Sequence, residues 1–321
     1  MRRRELLQRL LRNRRGQFGV VTVAVIAFFA IFAEWIASDV PLFVRYQGTF
    51  CVLPAITNPE HFRDRRSAEI AASLGPDDFA VWPLVRVGPS TVTDSPPMAG
   101  PSRAHWLGTD AFRRDVFARL VHGTRASLAL GAVVSFVSVV VGFALGGLGG
   151  ALGGIWESLL ERLVEIVAVF PAVVAVALVR ALERRPSLLS LAIVIGAVNA
   201  AGIARLTRVL VLRSLAEEWA LAARASGASP LRVAFVHVMP HLVAPLAVCA
   251  VFALGSVILT ETALSFLDLG IPSKAASWGE MMAEIQWGAG ARILFVPVVA
   301  LALTLTALYM IADAIRKTFE V

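Results

Sequence analysis

Lysine and cysteine are scarce in this sequence of 321 residues, and each scarcity excludes a type of site. Neither of the two lysines, Lys274 and Lys317, follows a glycine, so the Gly-Lys-Ser/Thr ending of a phosphate-binding P-loop is absent. Of the two cysteines, we expect Cys51 in a polar loop and Cys249 within an apolar segment. That separation argues against a disulfide between them. The chain therefore carries no nucleotide-binding motif of its own.

Histidine is missing where an intramembrane hydrolase would need it. The long apolar segments contain no histidine and no Gly-x-Ser-x-Gly nucleophile elbow, which argues against that class of enzyme. The spacing of His105, Asp110 and Asp115 matches no compact metal site. A helix cap at Thr109 or Asp110, together with surface charge, accounts for these residues better. We accordingly expect neither a metal site nor a catalytic residue in this chain.

Hydrophobic residues, by contrast, make up 57% of the chain, and its mean hydropathy is +0.73. This composition indicates an integral membrane protein rather than a soluble domain. The net charge of +7 is almost entirely due to arginine. Seven arginines lie in residues 1–17, directly before an apolar run, which is typical of the cytoplasmic side of a membrane. Nucleic-acid binding is therefore the poorer explanation of the positive charge.

Six apolar runs predict an all-α membrane protein with six transmembrane helices. The basic segment 1–17 places the N-terminus in the cytoplasm, and an even number of spans returns the C-terminus to the same side. The glycine-rich run 146–154 favours close helix packing over phosphate binding, and Pro171 predicts a kink. The expected spans are residues 18–37, 126–153, 163–182, 187–204, 242–267 and 293–315.

A long polar segment, residues 38–125, separates the first two spans on the extracytoplasmic side. Its length and its many prolines predict a small subdomain rather than a simple loop. The alternating stretch 79–88 predicts short strands. The apolar face of residues 112–121 predicts an amphipathic helix at the membrane surface, which leads into the second span. The remainder, residues 126–321, is expected to form a five-helix core.

A less apolar stretch at residues 216–240 predicts two short helices between long spans. The first is rich in alanine and ends at Gly227, which suits a left-handed cap. Ser229 can cap the second helix, Pro230 fits its first position, and Pro240 ends it. One face of the second helix is apolar and consists of Leu231, Ala234, Phe235 and Val238. Such a helix pair between spans is a candidate docking surface.

Motifs at residues 107–128 and 217–240 resemble those of permease subunits of binding-protein-dependent ABC importers, specifically the second permease of dipeptide, oligopeptide and nickel systems. The cytoplasmic motif of that family has Glu-Ala-Ala, three residues, Gly and, further on, Leu-Pro. Leu221 stands here in place of the acid, and Met239 replaces the usual leucine. The residues that stand in register with the motif are Ala222, Ala223, Gly227 and Pro240.

Other motifs agree with the same family and follow in its order. They are LGTD at 107–110, RDV at 114–116, ILTETALSFLDLG at 258–270 and SWG at 277–279. Two N-terminal stretches, together with the enlarged outer segment, resemble the Yej-type permeases of microcin C and oligopeptide importers. These stretches are RRGQFG at 14–19 and PLFVRYQG at 41–48.

The resemblance implies a fold, a location and a set of partners. It implies a type I ABC importer permease of the bacterial inner membrane, which forms half of a translocation pathway, with an enlarged periplasmic segment between its first two spans. The implied partners are a second permease subunit, two ATPase subunits or a fused one, a periplasmic substrate-binding protein and the lipid bilayer. ATP and Mg²⁺ would bind the ATPase subunits, so this chain would hold no cofactor and hydrolyse nothing itself. The implied substrate is an oligopeptide or a peptide-like compound.

The resemblance also implies which residues couple the permease to ATP hydrolysis. In the family, the helix that ends at the motif glycine sits in a cleft of the ATPase and moves as the ATPase dimer closes. Small residues would permit close approach, and Arg224 would pair with an acidic residue of the ATPase. The implied coupling residues are Ala222, Ala223, Arg224, Ala225, Ser226, Gly227 and Pro240.

Two further predictions rest on the residues themselves. Glu261 is an ionisable residue within a span, which marks a substrate pathway or a structural hydrogen bond; its place toward the outer third favours the structural role. On the outer side, exposed aromatic and charged residues would contact the binding protein or a gate, or else the tryptophans anchor the chain at the bilayer interface. These residues are Trp82, Arg86, Trp106, Trp278 and Trp287.

A secondary transporter or a channel without an ATPase partner is the alternative function. Six spans are compatible with either, but neither explains a structured helix pair on the cytoplasmic side. No side chain identifies the ligand, so the exact substrate stays open.

Overall fold

A computed structural model describes residues 13–46, 48–57, 62, 65–75, 78–183, 187–270, 276–284 and 290–319. The chain divides into two compact units. We call them the core unit, which comprises Met1–Val23, Leu130–Glu261 and Leu303–Val321, and the sheet unit, which comprises Ala24–Ala129 and Thr262–Ala302.

Helices dominate both units. In chain order they are α1 (Arg14–Ile31), α2 (Ala33–Ile36), α3 (Pro54–Thr57), α4 (Ser67–Ser73), α5 (Val116–Leu152), α6 (Gly154–Val169), α7 (Ala172–Leu182), α8 (Leu188–Leu215), α9 (Glu218–Ala225), α10 (Pro230–Arg232), a π-helix (Val233–Val238), α11 (Met239–His241), α12 (Val243–Phe266), α13 (Trp278–Ala283) and α14 (Ala291–Phe319). The strands are β1 (Phe43–Tyr46), β2 (Thr49–Val52) and β3 (Phe79–Val81).

The long helices account for the predicted membrane spans. Helices α1, α5, α8, α12 and α14 are each long and apolar enough to cross a membrane. Helices α6 and α7 satisfy the same criterion together, but they are bent by 83° at a break that contains Pro171. Proline has no N–H to donate and clashes with the preceding turn, so the predicted kink is confirmed as a sharp break. Counted as one broken span, this pair brings the number of spans within the described part of the chain to six, as predicted.

Helix α5 runs without interruption through the end of the predicted surface helix and the whole of the second span. Its first residue is Val116, and the carboxylate of Asp115 caps it by accepting a hydrogen bond from the N–H of Ala118 at 2.7 Å. The predicted cap at Thr109 or Asp110 is wrong. Asp110 instead uses its carboxylate within the turn that precedes the helix.

Glycines on α5 allow it to approach α8 closely. Gly142, Gly146 and Gly150 follow one another at intervals of four residues and so share one face of the helix. A β-carbon on Gly142 would lie 2.7 Å from the carbonyl oxygen of Ala200, and one on Gly146 would lie closer still to that of Ala204. Larger residues would therefore push the two helices apart, so the predicted packing role is confirmed for Gly146 and Gly150 of the run 146–154. Gly153 and Gly154 of that run instead have a positive φ, and an added β-carbon there would meet no atom within 4 Å.

A small antiparallel sheet, with strand order β2-β1-β3, lies in the sheet unit. Strand β3 confirms only the beginning of the predicted strand region 79–88, because Pro83 soon follows and cannot donate to a sheet ladder. Strands β1 and β2 form a hairpin, and Gly48 adopts a positive φ of 80° in its connection. Cys51 in β2 is a free thiol, as is Cys249 in α12.

Candidate functional site

The stretch 216–241 folds into two short helical segments joined by a tight turn. At the end of α9, Gly227 adopts a φ of +87°. Its N–H donates to the carbonyl of Arg224 at 3.0 Å, and the N–H of Ala228 donates to the carbonyl of Ala223 at 3.2 Å. These two bonds form a Schellman motif, so the predicted left-handed cap is confirmed.

The second segment begins as predicted and then changes helix type. The hydroxyl of Ser229 accepts a hydrogen bond from the N–H of Arg232 at 3.3 Å, and Pro230 occupies the first helical position. The chain then forms the π-helix, and α11 continues through Pro240. The prediction that Pro240 ends the helix is therefore wrong. The wider π turn ahead of it relieves the clash that a proline ring meets in a regular α-helix.

The π-helix also changes which side chains are buried. Ala234 and Val238 are buried, whereas Leu231 and Phe235 are 42% and 41% exposed. In a regular α-helix with 3.6 residues per turn, these four side chains would share one face. The wider turn of the π-helix rotates them apart, so that they no longer share it. The predicted single apolar face is thus wrong for two of its four members, which add apolar area to the surface instead.

A buried apolar cluster in the core unit holds both segments in place. Ala220 of α9 and Val233 and Val238 of the π-helix are fully buried in it, together with side chains of α8 and α12. The rings of Trp219 and His241 lie 5.7 Å apart and join α9 to α11. Close-packed side chains thus connect α9 to the long helices α8 and α12.

The coupling residues implied by the family resemblance lie on the surface of this stretch. Ala223 is half-buried against the apolar cluster. Leu221, which stands in the place of the motif acid, is 51% exposed. Exposed apolar side chains that adjoin one another are typical of contact surfaces. The remaining implied residues, all exposed, are Ala222, Arg224, Ala225, Ser226, Gly227 and Pro240.

An ion-pair network stiffens two of the core helices. Arg208 of α8 donates from Nε and Nη2 to Oε1 of Glu157 in α6, at 3.0 and 2.5 Å. Its Nη1 lies 3.1 Å from Oε1 of Glu161, one turn further along α6. No motif in the sequence predicts this network. The signal for it is the spacing of Glu157 and Glu161, four residues apart and so on one face of α6.

A second polar cluster, which no sequence pattern predicted, lies buried in the sheet unit. Nη1 of Arg119 lies 2.5 Å from Oδ2 of Asp110 and also contacts Oε1 of Glu284. Arg114 donates from Nε to the same Asp110 oxygen at 2.7 Å, and its Nη2 contacts Glu284. Burial raises the pKa of the Glu284 carboxyl, and the charges of Arg119 and Arg114 oppose that rise. Nη2 of Arg119 also lies 3.3 Å from Oε1 of Glu280, so two guanidinium groups meet three carboxylates at the start of α5.

The residues considered as metal ligands serve structural roles. Nδ1 of His105 lies 2.7 Å from Oδ2 of Asp115, whose other oxygen caps α5. Asp110 belongs to the arginine cluster instead. Among the described residues, no three or more His, Cys, Asp or Glu side chains are grouped so as to hold a metal ion.

Trp278, expected to be exposed on the outer side, is fully buried. Its backbone N–H donates to the hydroxyl of Ser127 at 3.4 Å, and its indole N–H donates to that of Thr124 at 3.3 Å. The ring passes over Gly123, where a β-carbon would lie 3.3 Å from it. The expectation of an exposed Trp278 is wrong, because both polar groups of this residue find partners on α5.

The other residues of that set differ in exposure. The ring of Trp82 is partly buried, and the guanidinium carbon of Arg86 lies 5.3 Å from its centre. Trp106 is 44% exposed, with its ring 5.0 Å from that of Phe117. Trp287 lies outside the described residues.

Glu261 lies on α12 and is 2% exposed. Its carboxylate therefore does not face lipid, as the cost of an ionisable group in hydrocarbon demands. Its burial fits the structural role favoured from the sequence, and that role stays a prediction.

Comparison with known proteins identifies the class to which this fold belongs. Residues 127–320 match the family described as "Binding-protein-dependent transport system inner membrane component". Residues 2–47 match the "N-terminal TM domain of oligopeptide transport permease C". The chain therefore belongs to the family of binding-protein-dependent transport system inner membrane components, and the predicted family resemblance is confirmed.

Individual relatives extend over most of the chain. The di/tripeptide transport system permease protein DppC of Pseudomonas aeruginosa is 30% identical over 99% of this chain and 91% of its own length. The dipeptide permease DppC of Alkalihalophilus pseudofirmus is 35% identical over 70% of this chain and 74% of its own length. The inner membrane ABC transporter permease YejE of Escherichia coli is 28% identical over 97% of this chain and 95% of its own length.

A solved structure has a similar fold. The MetNI methionine ABC transporter in an inward facing conformation superimposes with a TM-score of 0.54 at 20% identity, over 63% of this chain and 96% of that one. This chain is thus a multi-pass membrane subunit with the type I fold of ABC permeases.

Proposed function

We propose that this chain forms half of the pathway of an ATP-driven importer of peptides or peptide-like compounds, and that an ATPase subunit docks on residues 218–227. The observation that carries the proposal is the exposed surface of α9, which combines small residues with an exposed leucine and rests on a buried core. Since the sequence contains no P-loop, energy for transport has to arrive by contact with another protein.

The chemistry of this surface suits a close protein contact. The methyl groups of Ala222 and Ala225 allow a partner to approach the helix axis, and Gly227 fixes the direction of the turn. The guanidinium of Arg224 is available to an acidic partner side chain. Leu221 supplies apolar contact where the family motif has an acid, while Glu217, also exposed, keeps negative charge nearby.

The proposed assembly follows from this assignment. Both termini and the stretch 216–241 face the cytoplasm, whereas residues 38–125 face the periplasm, in agreement with the positive charge of residues 1–17. A second permease completes the translocation pathway, and two ATPase subunits or one fused chain bind ATP and Mg²⁺. This chain then holds no cofactor and hydrolyses nothing itself.

The substrate class rests on the relatives. Two of the relatives reported above are named as permeases for dipeptides or di/tripeptides, which supports a peptide substrate here. We propose that Trp82, Arg86 and Trp106 contribute to the surface that receives the periplasmic binding protein. Glu261 is assigned a structural role within the span. A secondary transporter or channel would leave the exposed surface of α9 without a purpose.

Substitution of one exposed alanine tests the docking surface. Ala222→Arg places a long charged side chain on α9 without disturbing the buried cluster, so we expect the ATPase subunits to be lost on purification. Uptake should fall at least about tenfold, which corresponds to about 1.4 kcal/mol of lost docking free energy. The matched control is Ala181→Arg at the exposed end of α7, which should keep both properties. Wild-type co-purification and uptake by the Ala222→Arg variant would contradict the proposal.

A further inference from the structure

One face of the three-stranded sheet is apolar and exposed. The register pairs Phe43 with Val52 on one side and with Val81 on the other, and it pairs Arg45 with Phe50 and Phe79. Cross-strand partners point to the same face, so these six residues form two adjacent rows. The five apolar members are all exposed: Phe43, Phe50, Val52, Phe79 and Val81.

The opposite face of the sheet is the one that faces a core. Val44 and Ala80 pack there against Phe62 and against Ile70 of α4. An antiparallel sheet that is covered on one face normally carries polar residues on the other, because that face meets water. Here the alternation is apolar on both faces, which indicates that the second face meets something other than water.

An aromatic line joins this face to the first membrane span. The rings of Phe28 and Phe32 lie 4.7 Å apart, those of Phe32 and Trp35 6.2 Å apart, and those of Trp35 and Phe43 6.1 Å apart. Phe28 lies on α1, a helix long and apolar enough to cross a membrane, and is 53% exposed. The apolar surface thus continues from α1, through α2, onto the first row of the sheet.

The single charged residue of the face suits the headgroup region of a bilayer. The guanidinium carbon of Arg45 lies 5.6 Å from the centre of the Phe50 ring, and the ring of Phe50 lies 6.0 Å from that of Phe79. The guanidinium of an arginine can form two parallel hydrogen bonds to a phosphate group, while the aliphatic part of the side chain covers an apolar surface. Aromatic side chains are enriched at the same depth of the membrane.

We propose that this sheet face lies on the bilayer surface, with Phe50 and Phe79 among the lipids and Arg45 on a phospholipid phosphate. The occupant is the lipid itself, because the face is continuous with the exposed side of the span α1 and carries one positive charge among aromatic rings. The sheet then anchors the enlarged segment 38–125 close to the membrane. Trp82, on the opposite face, is left on the side away from the lipid.

Nitroxide labels at single cysteines test the proposal in the full chain. The background carries Cys51→Ala and Cys249→Ala, and the labelled variants are Phe50→Cys, Phe79→Cys and, as a control, Glu69→Cys on the exposed side of α4. The protein is placed in nanodiscs of phosphatidylethanolamine and phosphatidylglycerol. Collision of each label with oxygen, which concentrates in lipid, is compared with collision with a water-soluble nickel chelate.

We expect the ratio of oxygen to nickel collisions to be several-fold higher at positions 50 and 79 than at position 69. Arg45→Glu should lower the ratio at position 79 by repelling anionic lipid, whereas Arg45→Lys should preserve it. Equal ratios at all three positions would mean that the face meets water. Labels at 50 and 79 that are shielded from both reagents would mean that a protein covers it. Either result overturns the proposal.

Discussion

Only 1% of the surface of Arg119 is exposed. The groups around its buried charge therefore determine how much a substitution of this arginine would destabilise the protein. Its guanidinium contacts Asp110, nine residues earlier in the chain, and Glu284, which follows the short helix α13. A charge this deeply buried loses its hydration, and paired carboxylates with good geometry offset that loss. Removal of the arginine would leave Asp110, Glu284 and the nearby Glu280 with only Arg114 to neutralise them.

Arg119→Met should therefore destabilise the protein strongly. Breaking a buried ion pair costs about 3–5 kcal/mol, because it leaves an uncompensated buried charge. The thermal unfolding midpoint of the purified protein in detergent measures the effect. Arg113→Met, at an exposed position six residues earlier, is the control and should change stability by less than about 0.5 kcal/mol. Equal midpoints for the two variants would show that the cluster contributes nothing to stability.

The local roles of Gly227 and Ser229 were predictable from the sequence, whereas the cap at Asp115 and the contacts between distant segments were not. Gly227 and Ser229 act on backbone groups a few residues away, so their types alone predicted the turn that joins them. Arg119 and Glu284 meet only because the fold brings distant segments together. Trp278 was expected at the surface for the same reason, since its partners on α5 lie about 150 residues away.

At the scale of elements, α9, its turn and the π-helix act together as one surface feature. Ala220 and Val233 anchor the two sides in one apolar cluster, and the Schellman motif sets the angle between them. We therefore expect a partner that displaces α9 to displace α8 and α12 as well, because all three helices share this cluster. The open space beside Gly227, where an added β-carbon meets no atom within 4 Å, means that backbone conformation rather than crowding selects glycine.

Gly227→Pro should uncouple ATP hydrolysis from uptake. Proline is restricted to a φ near −65°, whereas this position requires +87°, so the turn would have to open. Uptake by the assembled transporter should fall to background while ATP hydrolysis continues. Gly227→Asn is the matched control, because asparagine tolerates the left-handed conformation and fits the open space. Coupled uptake at the wild-type rate in the proline variant would count against the role of the turn.

The π-helix marks the limit of what periodicity predicts for elements. A sequence pattern is compared with periods of 3.6 and 2 residues, and a single π turn matches neither. This explains why Phe235 was expected on the same face as Ala234 and Val238, and why Pro240 was expected to end the helix. The position of the break at Pro171 was predicted, but its bend angle was not, because a proline marks where a helix breaks without determining the angle.

At the scale of the whole molecule, hydropathy predicted the number of spans, and the glycine-rich run predicted close helix packing without identifying α8 as the partner helix. Both signals come from several residues taken together, so one unusual residue does not change the prediction. The small sheet was only partly predicted, since strands of three or four residues give a weak signal. The family followed from several separate motifs in order, and the comparison of whole sequences confirms it.

Cross-linking between α9 and the ATPase tests the central claim most directly. In a background with Cys51→Ala and Cys249→Ala, Ala225→Cys places a thiol on the exposed surface of α9, and Ala181→Cys places one at the exposed end of α7 as the control. A short bifunctional maleimide is applied to membranes that contain the assembled transporter. We predict a covalent product with an ATPase subunit from position 225, reduced when ATP changes the state of that subunit, and none from position 181. No ATPase product from position 225, with the labelled chain still transporting substrate, would contradict the account.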